Sequence, residues 1–258
     1  NWPHVPWPAD HPDIDPATLR VPPNQIDNPT TREWRARYLA AIRTMDDELG
    51  KVYDLARRKL GDDTFFLHTS DNGAQWPFGK WTLYDDGIRT PMIVSWPGHV
   101  APGTRTDAMV SWIDILPTLV DVAGGTPPGA IDGRSFLPVL AGKADRHRDL
   151  IFTTHSGDGN FNVYPIRAAR SPDGLHYIRN LHPEFRFTSH VTMAHADSGY
   201  WTSWLDSAAA SPAAAQTVRR YQQRPAEELY ATDGDPYQSD NRAADPAQAE
   251  PLQRLREA

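Results

Sequence analysis

Apolar side chains recur at spacings of three and four over residues 34–60, and this periodicity constrains the fold more than any other feature of the sequence. The repeat comprises Trp34, Tyr38, Ile42, Met45, Leu49, Val52, Ala56 and Leu60. Such spacing places apolar side chains along one side of an α-helix, and a glycine such as Gly61 is a typical helix end. Thr30 and Glu33 have the spacing of a capping box, which satisfies free backbone amides in the first turn. We therefore predict a long amphipathic helix over residues 30–60.

Short apolar segments follow this helix and have strand character. Residues 64–69 are apolar enough to lie in a sheet covered on both faces, and residues 91–96 form a second candidate strand. Residues 112–123 predict a helix with Asp107 and Ser111 as candidate caps, and residues 150–153 predict a further strand. The order helix, strand, strand, helix, strand is typical of an α/β layered sheet.

The last hundred residues have a different pattern. Residues 167–170 and 176–179 alternate on either side of Ser171-Pro172-Asp173-Gly174, a turn in which proline presets φ and glycine accepts positive φ. This pattern predicts a β-hairpin of a smaller antiparallel sheet. Residues 207–223 and 243–258 predict helices.

Composition excludes several classes of function. The chain has 258 residues and a formal charge of -7, so it lacks the basic surface that binding to nucleic acid or anionic membranes requires. It contains no cysteine, which excludes disulfides, thiolate metal ligands and a cysteine nucleophile within these residues. Its apolar runs are far shorter than the roughly 20 residues of a membrane-spanning helix.

Polar residues concentrate directly after the first predicted strand. Asp71 and Asn72 follow residues 64–69, at the end of a strand, where open α/β sheets place their ligands. Their oxygen atoms suit a hard cation such as Ca²⁺ or Mg²⁺. Lys80 could hold a tetrahedral oxyanion nearby. The alternative is an ordinary strand-to-loop turn, because Asp-Asn-Gly is also good turn chemistry.

Several blocks occur together in an order that resembles the type I sulfatases of the alkaline phosphatase superfamily. The blocks are Ser70-Asp71-Asn72-Gly73, Gly79-Lys80, Leu83-Tyr84-Asp85-Asp86-Gly87-Ile88-Arg89-Thr90-Pro91, Trp96-Pro97-Gly98, Asp114-Ile115-Leu116-Pro117-Thr118-Leu119, Asp132-Gly133-Arg134-Ser135-Phe136, and Glu228-Leu229-Tyr230 with Asp235-Pro236-Tyr237 and Asp240-Asn241. The resemblance covers essentially the whole chain. Its finer pattern, in Trp76-Pro77-Phe78-Gly79-Lys80, Tyr164-Pro165-Ile166-Arg167 and Ile178-Arg179-Asn180-Leu181, is similar to the sulfamidase branch and to bacterial relatives acting on other sulfated sugars.

The resemblance implies a role for each matching residue. Asp71 and Asn72 would be two ligands of one Ca²⁺ ion, and Lys80 would contact the sulfate oxygens. Pro3-His4-Val5-Pro6 is similar to the family's Pro-His-x-Pro segment, so His4 would protonate the leaving group, as an imidazole with a pKa near 6.5 can. His155 would line the sugar pocket, although a partly buried histidine at a strand end is an equally good interpretation. Arg89 would brace its loop.

The family's nucleophile is a formylglycine made within a Cys/Ser-x-Pro-Ser-Arg segment, and this chain contains no such segment. Two oxygen donors are also too few for calcium, which takes six to eight. We therefore expect the formylglycine and the remaining metal ligands to lie N-terminal to Asn1, in a missing portion of the same protein. The chain is interpreted as the C-terminal portion of a sulfatase acting on sulfate esters or N-sulfates of sugars, inactive alone.

The resemblance also implies an architecture and a compartment. We expect residues 1–155 to be the second part of an alkaline-phosphatase-like α/β/α sandwich, and residues 156–258 to be a smaller α+β subdomain with a short antiparallel sheet. The family is typically periplasmic, secreted or lysosomal, and we expect a periplasmic or secreted protein. The sequence does not indicate an oligomeric state.

Two other functions and two other side-chain roles stay open from sequence. The first function is a phosphate or phosphonate ester hydrolase of the same superfamily, which Asn72 disfavours because those enzymes usually have histidine there. The second is a non-catalytic module that binds sulfated glycans. Trp201 and Trp204 could stack on a sugar or pack in the core. The other histidines lack metal-ligand spacing and are expected in packing or at the surface; they include His68, His176, His182, His190 and His195.

Overall fold

The computed structural model describes residues 3–159, 162–192 and 199–258. An extended arm, with one 3₁₀ turn at Pro16–Thr18, leads into the long helix α1, Pro29–Leu60. The helix is capped by Asn28, whose side-chain oxygen accepts a hydrogen bond from the Thr31 amide at 2.8 Å. The predicted capping box of Thr30 and Glu33 is therefore wrong. Pro29 occupies the first helical position, where its missing N–H costs nothing, so the cap shifts two residues upstream.

The first sheet has two antiparallel strands, β1 (Phe66–Thr69) and β2 (Met92–Ser95). Phe66 lies opposite Ser95 and Thr69 opposite Met92. The connection contains one helical turn, α2 (Asp85–Ile88). We predicted that the first strand would be covered on both faces, but every residue of β1 is partly exposed, and Ile93 of β2 is 58% exposed.

The next segment is helical, as predicted. A 3₁₀ turn, Trp112–Asp114, continues into α3 (Ile115–Val122), and the short helix α4 covers Leu137–Leu140. Ser111 caps this region through a capping box with Asp114, which confirms it as a cap. Asp107 lies in extended chain and does not cap the helix.

The second sheet is a four-stranded antiparallel meander of β3 (Ile151–Asp158), β4 (Asn162–Arg170), β5 (Leu175–Asn180) and β6 (Glu227–Ala231). The predicted hairpin is confirmed: the Ser171 amide donates to the Leu175 carbonyl at 3.0 Å, and Gly174 has φ of 76°. The predicted domain boundary at residue 155 falls within β3, and the division into two units stays a prediction.

Three helices complete the chain: α5 (Gly199–Ala210), α6 (Pro212–Gln222) and α7 (Ala249–Glu257). The main core is rich in aromatic side chains drawn from both ends of the chain, among them Trp7, Trp76, Trp204, Tyr221 and Tyr230. The whole is a mixed α/β structure with small antiparallel sheets, as expected. In the described ranges no helix is sufficiently long and apolar for a membrane span.

Candidate active site

A cleft of about 1320 Å³ opens at the end of β1. Four of the predicted site residues line it, although they come from separate parts of the sequence: His4 from the N-terminal arm, Asp71 and Asn72 from the turn after β1, and Lys80 from the following loop. One face of α1 and residues 85–86 also line it. The fold thus brings together the residues to which the sequence assigned metal, sulfate and proton chemistry.

An aromatic cluster holds the arm that carries His4. Trp7 is 5% exposed, and its ring centroid lies 5.9 Å from that of Trp34, 5.1 Å from Tyr38 and 5.2 Å from Trp76. Its indole N–H donates to the Pro3 carbonyl at 2.7 Å. Burial of an aromatic side chain contributes on the order of 2 kcal/mol, so this contact fixes the arm firmly beside α1.

One hydrogen bond sets the chemistry of the His4 ring. Nδ1 lies 2.7 Å from the Val5 carbonyl oxygen, which can only accept, so Nδ1 carries hydrogen. Nε2 is then the nitrogen that gains or gives up a proton. The His4 side chain is exposed at the mouth of the cleft, where a substrate can reach it.

The turn that follows β1 is ordered by its own side chains. The Asp71 carboxylate accepts from the Asn72 amide at 2.9 Å, and the Asn72 side-chain nitrogen donates to the Gly73 carbonyl at 2.9 Å. This leaves the Asn72 Oδ1 without a hydrogen bond to any part of the chain that the structure describes. A carboxylate and an amide oxygen therefore stand next to each other in the cleft wall.

Two glycines lock this turn to the neighbouring loop. The Gly73 amide donates to the Gly87 carbonyl at 2.8 Å, and a Cβ at Gly73 would lie 1.7 Å from the Asp86 carbonyl oxygen. A Cβ at Gly87 would lie 2.5 Å from the Gly79 carbonyl oxygen. Because no side chain fits at either contact, the position of Asp71 and Asn72 depends on these two glycines.

Lys80 is held from both its backbone and its side chain. Its amide donates to the Ala74 carbonyl at 2.9 Å, and its ammonium lies 4.7 Å from the centroid of the Trp81 ring. Trp81 and Phe78, which flank the Gly79-Lys80 pair, have φ of 66° and 67°. Bulky residues rarely adopt this left-handed conformation, and it marks a loop whose geometry is imposed by its surroundings.

Asp85 anchors the same loop to the second sheet. Its buried carboxylate pairs with Arg170 of β4 and lies 3.3 Å from His176 Nδ1 of β5. Burial would raise the pKa of the Asp85 carboxyl, but the hydrogen bond and charge of His176, together with Arg170, hold the pKa below its usual value. The sequence showed Asp85 only as part of a family block, because its partners lie about ninety residues away.

His155 and Arg89 have different surroundings from the four cleft residues. His155 lies on β3 opposite Ile166 and is not among the residues that line the cleft. Burial, with the nearby charge of Arg224, lowers the pKa of His155. Its predicted role in a sugar pocket stays a prediction. Arg89 lines the cleft, is 69% exposed and lies 3.9 Å from Asp85.

The remaining aromatic and histidine candidates differ in their burial. Trp201 and Trp204 are 3% and 0% exposed, so they pack in the core and cannot stack on a sugar. His176 is fully buried, whereas His182 lies at the surface. His68 is partly exposed and lines the cleft. His195 lies outside the described residues.

Sequence reasoning missed one feature of the cleft, the face of α1 that forms its wall. Arg35, Tyr38, Ile42 and Met45 line the cleft at helical spacing. The apolar repeat indicated that this face is covered, but it did not show that part of the face borders a cavity. That fact depends on the position of the turn after β1.

The oxygen donors fit one side of a calcium site. Asp71 and Asn72 supply two hard ligands, whereas calcium takes six to eight. Within residues 3–159, 162–192 and 199–258, no group of three or more histidine, aspartate or glutamate side chains could hold a metal by itself. The chemistry of the two donors suits the ion, and a calcium ion held there would need further ligands from water or from another polypeptide segment.

Comparison with known proteins identifies related sequences and folds. Residues 3–125 match the sulfatase family model. Human N-sulphoglucosamine sulphohydrolase is 28% identical over 264 residues, covering 94% of this chain and 50% of the relative. The ulvan-active sulfatase of Formosa agariphila is 27% identical over 225 residues, covering 86% and 42%. Human N-acetylgalactosamine-6-sulfatase is 39% identical over 122 residues, covering 41% and 23%. The chain thus spans half the length of these relatives or less.

Solved structures share the fold. A protein in complex with its substrate D-glucosamine-2-N,6-O-disulfate aligns with a TM-score of 0.62 at 19% identity, covering 90% of this chain and 41% of the other. The phosphonate monoester hydrolase of Agrobacterium radiobacter aligns with a TM-score of 0.60 at 22% identity, covering 88% and 40%. Both alignments show a shared fold.

Proposed function

We propose, on the premise that residues 3–125 belong to the sulfatase family, that this chain forms one wall of the active site of a hydrolase that removes sulfate esters or N-sulfates from sugars. The observation that carries the proposal is the convergence of His4, Asp71, Asn72 and Lys80 on one cleft. A plain turn at Asp71-Asn72-Gly73 would need neither His4 nor Lys80 nearby. The full-length relative N-sulphoglucosamine sulphohydrolase supports a sulfated amino sugar as the substrate class.

In this proposal each cleft residue has a separate task. The Lys80 ammonium binds the sulfate oxygens and offsets the negative charge that they carry in the transition state. His4 Nε2 gives its proton to the sugar atom that leaves sulfur, while Nδ1 keeps its hydrogen bond to the Val5 carbonyl. Asp71 and Asn72 hold a Ca²⁺ ion, which when bound would supply positive charge beside the sulfate.

The nucleophile is proposed to lie outside this chain. The family uses a formylglycine made from cysteine or serine, and here no cysteine and no Ser-x-Pro-Ser-Arg segment is present. The same outside segment would complete the metal shell. We accordingly expect no turnover of an aryl sulfate by residues 1–258 alone; rapid hydrolysis by the purified chain would overturn this assignment of the nucleophile.

Exposed apolar side chains support the proposal that another segment of the same protein packs against this chain. Trp112, Ile113, Leu116 and Leu119 in and before α3 are 42–56% exposed, and Leu60 at the end of α1 is 72% exposed. Large apolar side chains exposed together on one helix, as on α3, often mark a surface that contacts other protein. We propose that the rest of the sulfatase covers it, and that the complete protein is periplasmic or secreted.

Calorimetry on the 258-residue chain tests the sulfate-binding role of Lys80. Titration with glucosamine 6-sulfate should show binding that Lys80→Ala weakens at least about tenfold, because a charge-assisted contact is lost. Lys51→Ala, an exposed change on α1 away from the cleft, is the matched control. Equal affinities of the two variants would contradict the proposed site. Titration with an aryl phosphonate tests the phosphonate hydrolase alternative, which would require tighter binding of the phosphonate.

Metal content tests the role of Asp71 and Asn72. In the full-length protein, elemental analysis after gel filtration should find about one calcium per chain, and Asp71→Ala should lower that occupancy severalfold because a charged ligand is removed. Asp46→Ala changes an exposed carboxylate on α1 and should leave the occupancy unchanged. Calcium retention that does not depend on Asp71 would place the metal elsewhere.

A further inference from the structure

Arg35 occupies an unusual position in the wall of the cleft. It projects from α1 beside Trp76, with its guanidinium carbon 5.9 Å from the centroid of that ring. Its Nη1 donates to the Gln25 side-chain oxygen at 3.1 Å. Its Nε is shielded from solvent and has no hydrogen-bond partner in the described residues. A guanidinium has five N–H donors, and here most of them are free of protein acceptors.

The positive charge of Arg35 is only partly compensated by the residues that the structure describes. No carboxylate in the described ranges lies within ion-pair distance of it. Asp86 acts on Arg35 through its negative charge without forming an ion pair, and its carboxylate accepts from Asn24 at 2.8 Å. Burial lowers the pKa of Arg35, as expected for a cation that lacks full compensation. Partly buried charged side chains are normally paired, so Arg35 is a candidate binding group for an anion.

The surroundings of Arg35 suit a sugar. Tyr38, one turn along α1, and Tyr237 also line the cleft, and the structure gives neither hydroxyl a hydrogen bond within the described residues. Phenolic hydroxyls and a planar cation together can bind the hydroxyls and an acidic substituent of one ring. Lys80, in the same cleft, is already assigned to the reacting sulfate.

We infer that Arg35 binds a second anionic group of the substrate, a carboxylate or another sulfate, while the first sulfate lies against Lys80. This inference rests on the proposed function and narrows it to sugars that carry at least two negative charges. A planar guanidinium binds either oxyanion through paired hydrogen bonds, which a point charge such as lysine cannot match.

Paired titrations separate the two sites. The 258-residue chain should bind glucosamine 2-N,6-O-disulfate about tenfold more tightly than glucosamine 6-sulfate, since one additional charged contact forms. Arg35→Gln should abolish that preference and leave the monosulfate affinity within about twofold, because Arg35 does not contact the first sulfate. Arg35→Lys should keep only part of the preference.

A second arginine on α1 provides the control for the effect of Arg35→Gln on sugar binding. Arg37→Gln removes an arginine of the same helix that pairs with Glu33 and does not line the cleft, and it should keep the preference. Equal affinity of the wild-type chain for both sugars overturns the inference. That result is expected if a carboxylate of the protein itself pairs with Arg35. A parallel loss for both sugars in Arg35→Gln overturns it too. Neither result touches the proposed function, which the Lys80→Ala titration tests separately.

Discussion

Two of the three non-glycine residues with left-handed backbone angles in the described residues flank one side chain, Lys80. Phe78 and Trp81 both have left-handed backbone angles, which cost on the order of 1–3 kcal/mol each in non-glycine residues. Phe78 is buried against Tyr84 and Tyr221, with ring centroids 5.5 Å and 5.2 Å away. Trp81 stacks on His190 at 5.1 Å. Packing of the two aromatic rings thus offsets the strain and fixes the loop.

Trp81 is expected to be a positioning residue for Lys80. Trp81→Leu removes the cation–π contact and should weaken binding of glucosamine 6-sulfate by about two- to tenfold, from a contact worth roughly 0.5–1.4 kcal/mol. Trp81→Phe keeps an aromatic face and should restore most of the affinity. Calorimetry of the two variants measures the difference.

The two variants share the same backbone strain, because neither replaces Trp81 by glycine. A role in folding alone would lower the thermal stability of both and would not separate their affinities. Equal affinities of Trp81→Leu and Trp81→Phe would therefore show that the ring does not act on Lys80.

At the scale of elements, the cleft loop is attached to the second sheet by buried polar contacts. The Glu228 carboxylate of β6 accepts from the hydroxyls of Tyr84 at 2.7 Å and Tyr230 at 2.6 Å, and from the Asn180 side chain at 2.8 Å. Burial, with the Glu228 charge, raises the pKa of the Tyr84 hydroxyl far above its usual value. Satisfied networks of this kind fix one arrangement of the elements that they join.

Asp114 joins α3 to the segment before β3 and should make stability depend on pH. It is fully buried and accepts from the amides of Ser111 at 2.9 Å and Arg134 at 3.0 Å, and from Arg148 Nε at 2.7 Å. Burial alone would raise the pKa of Asp114, but the Arg148 hydrogen bond, followed by the two amides, lowers it to about 2. Because the pKa of Asp114 is lower in the folded state than in the unfolded state, the ionised carboxylate stabilises the fold at any pH above the unfolded-state pKa. That stabilisation is lost as the pH falls through the folded-state pKa.

The expected contribution is about 2 kcal/mol above pH 4, lost between roughly pH 4 and pH 2. Urea unfolding of wild type and Asp114→Asn should therefore give a large gap in unfolding free energy at pH 7 that narrows over this window. Asp107→Asn, an exposed change ahead of the same helix, should show no gap in unfolding free energy at either pH. A gap for Asp114→Asn that stays constant on acidification would contradict the linkage.

The elements differ in how far sequence could predict them. Helix α1, the Ser171–Gly174 turn and the Ser111 cap depend on local spacing, and all three are as predicted. The cap of α1 was misplaced because Asn28 and Thr30 both offer capping oxygens, and only Pro29 decides between them. The contacts of Asp85 with Arg170 and of Trp7 with Trp76 join distant segments, so no local pattern indicates them. Asp71, Asn72 and Lys80 were singled out by their position after the predicted strand, whereas His4 was singled out only through its resemblance to a family segment.

For the whole molecule, the buried core and the exposed apolar surface lie in different places. Aromatic residues of the arm, α1, α5 and α6 form a continuous core. By contrast, Val52, Leu55 and Leu60 of α1 and Ile93 of β2 are 48–72% exposed, as are residues of α3 at similar levels. A further layer of protein packed on the two-stranded sheet and these helix faces would therefore bury apolar surface. Burial of apolar surface stabilises a protein by roughly 25 cal/mol per Å².

Substitutions in α3 distinguish a surface that faces solvent from one that another part of the protein covers. Leu116 and Leu119 are 56% and 42% exposed, so changing both to lysine should leave the unfolding free energy of the 258-residue chain almost unchanged and reduce its self-association, measured by light scattering. In the full-length protein the same pair should cost on the order of 3 kcal/mol or more, because two charges would enter an apolar interface. Ala101→Lys with Ala130→Lys adds equal charge at exposed positions and should be neutral in both proteins. If the leucine pair is equally harmless in the longer protein, α3 faces solvent there, and the proposed covering segment must contact another face.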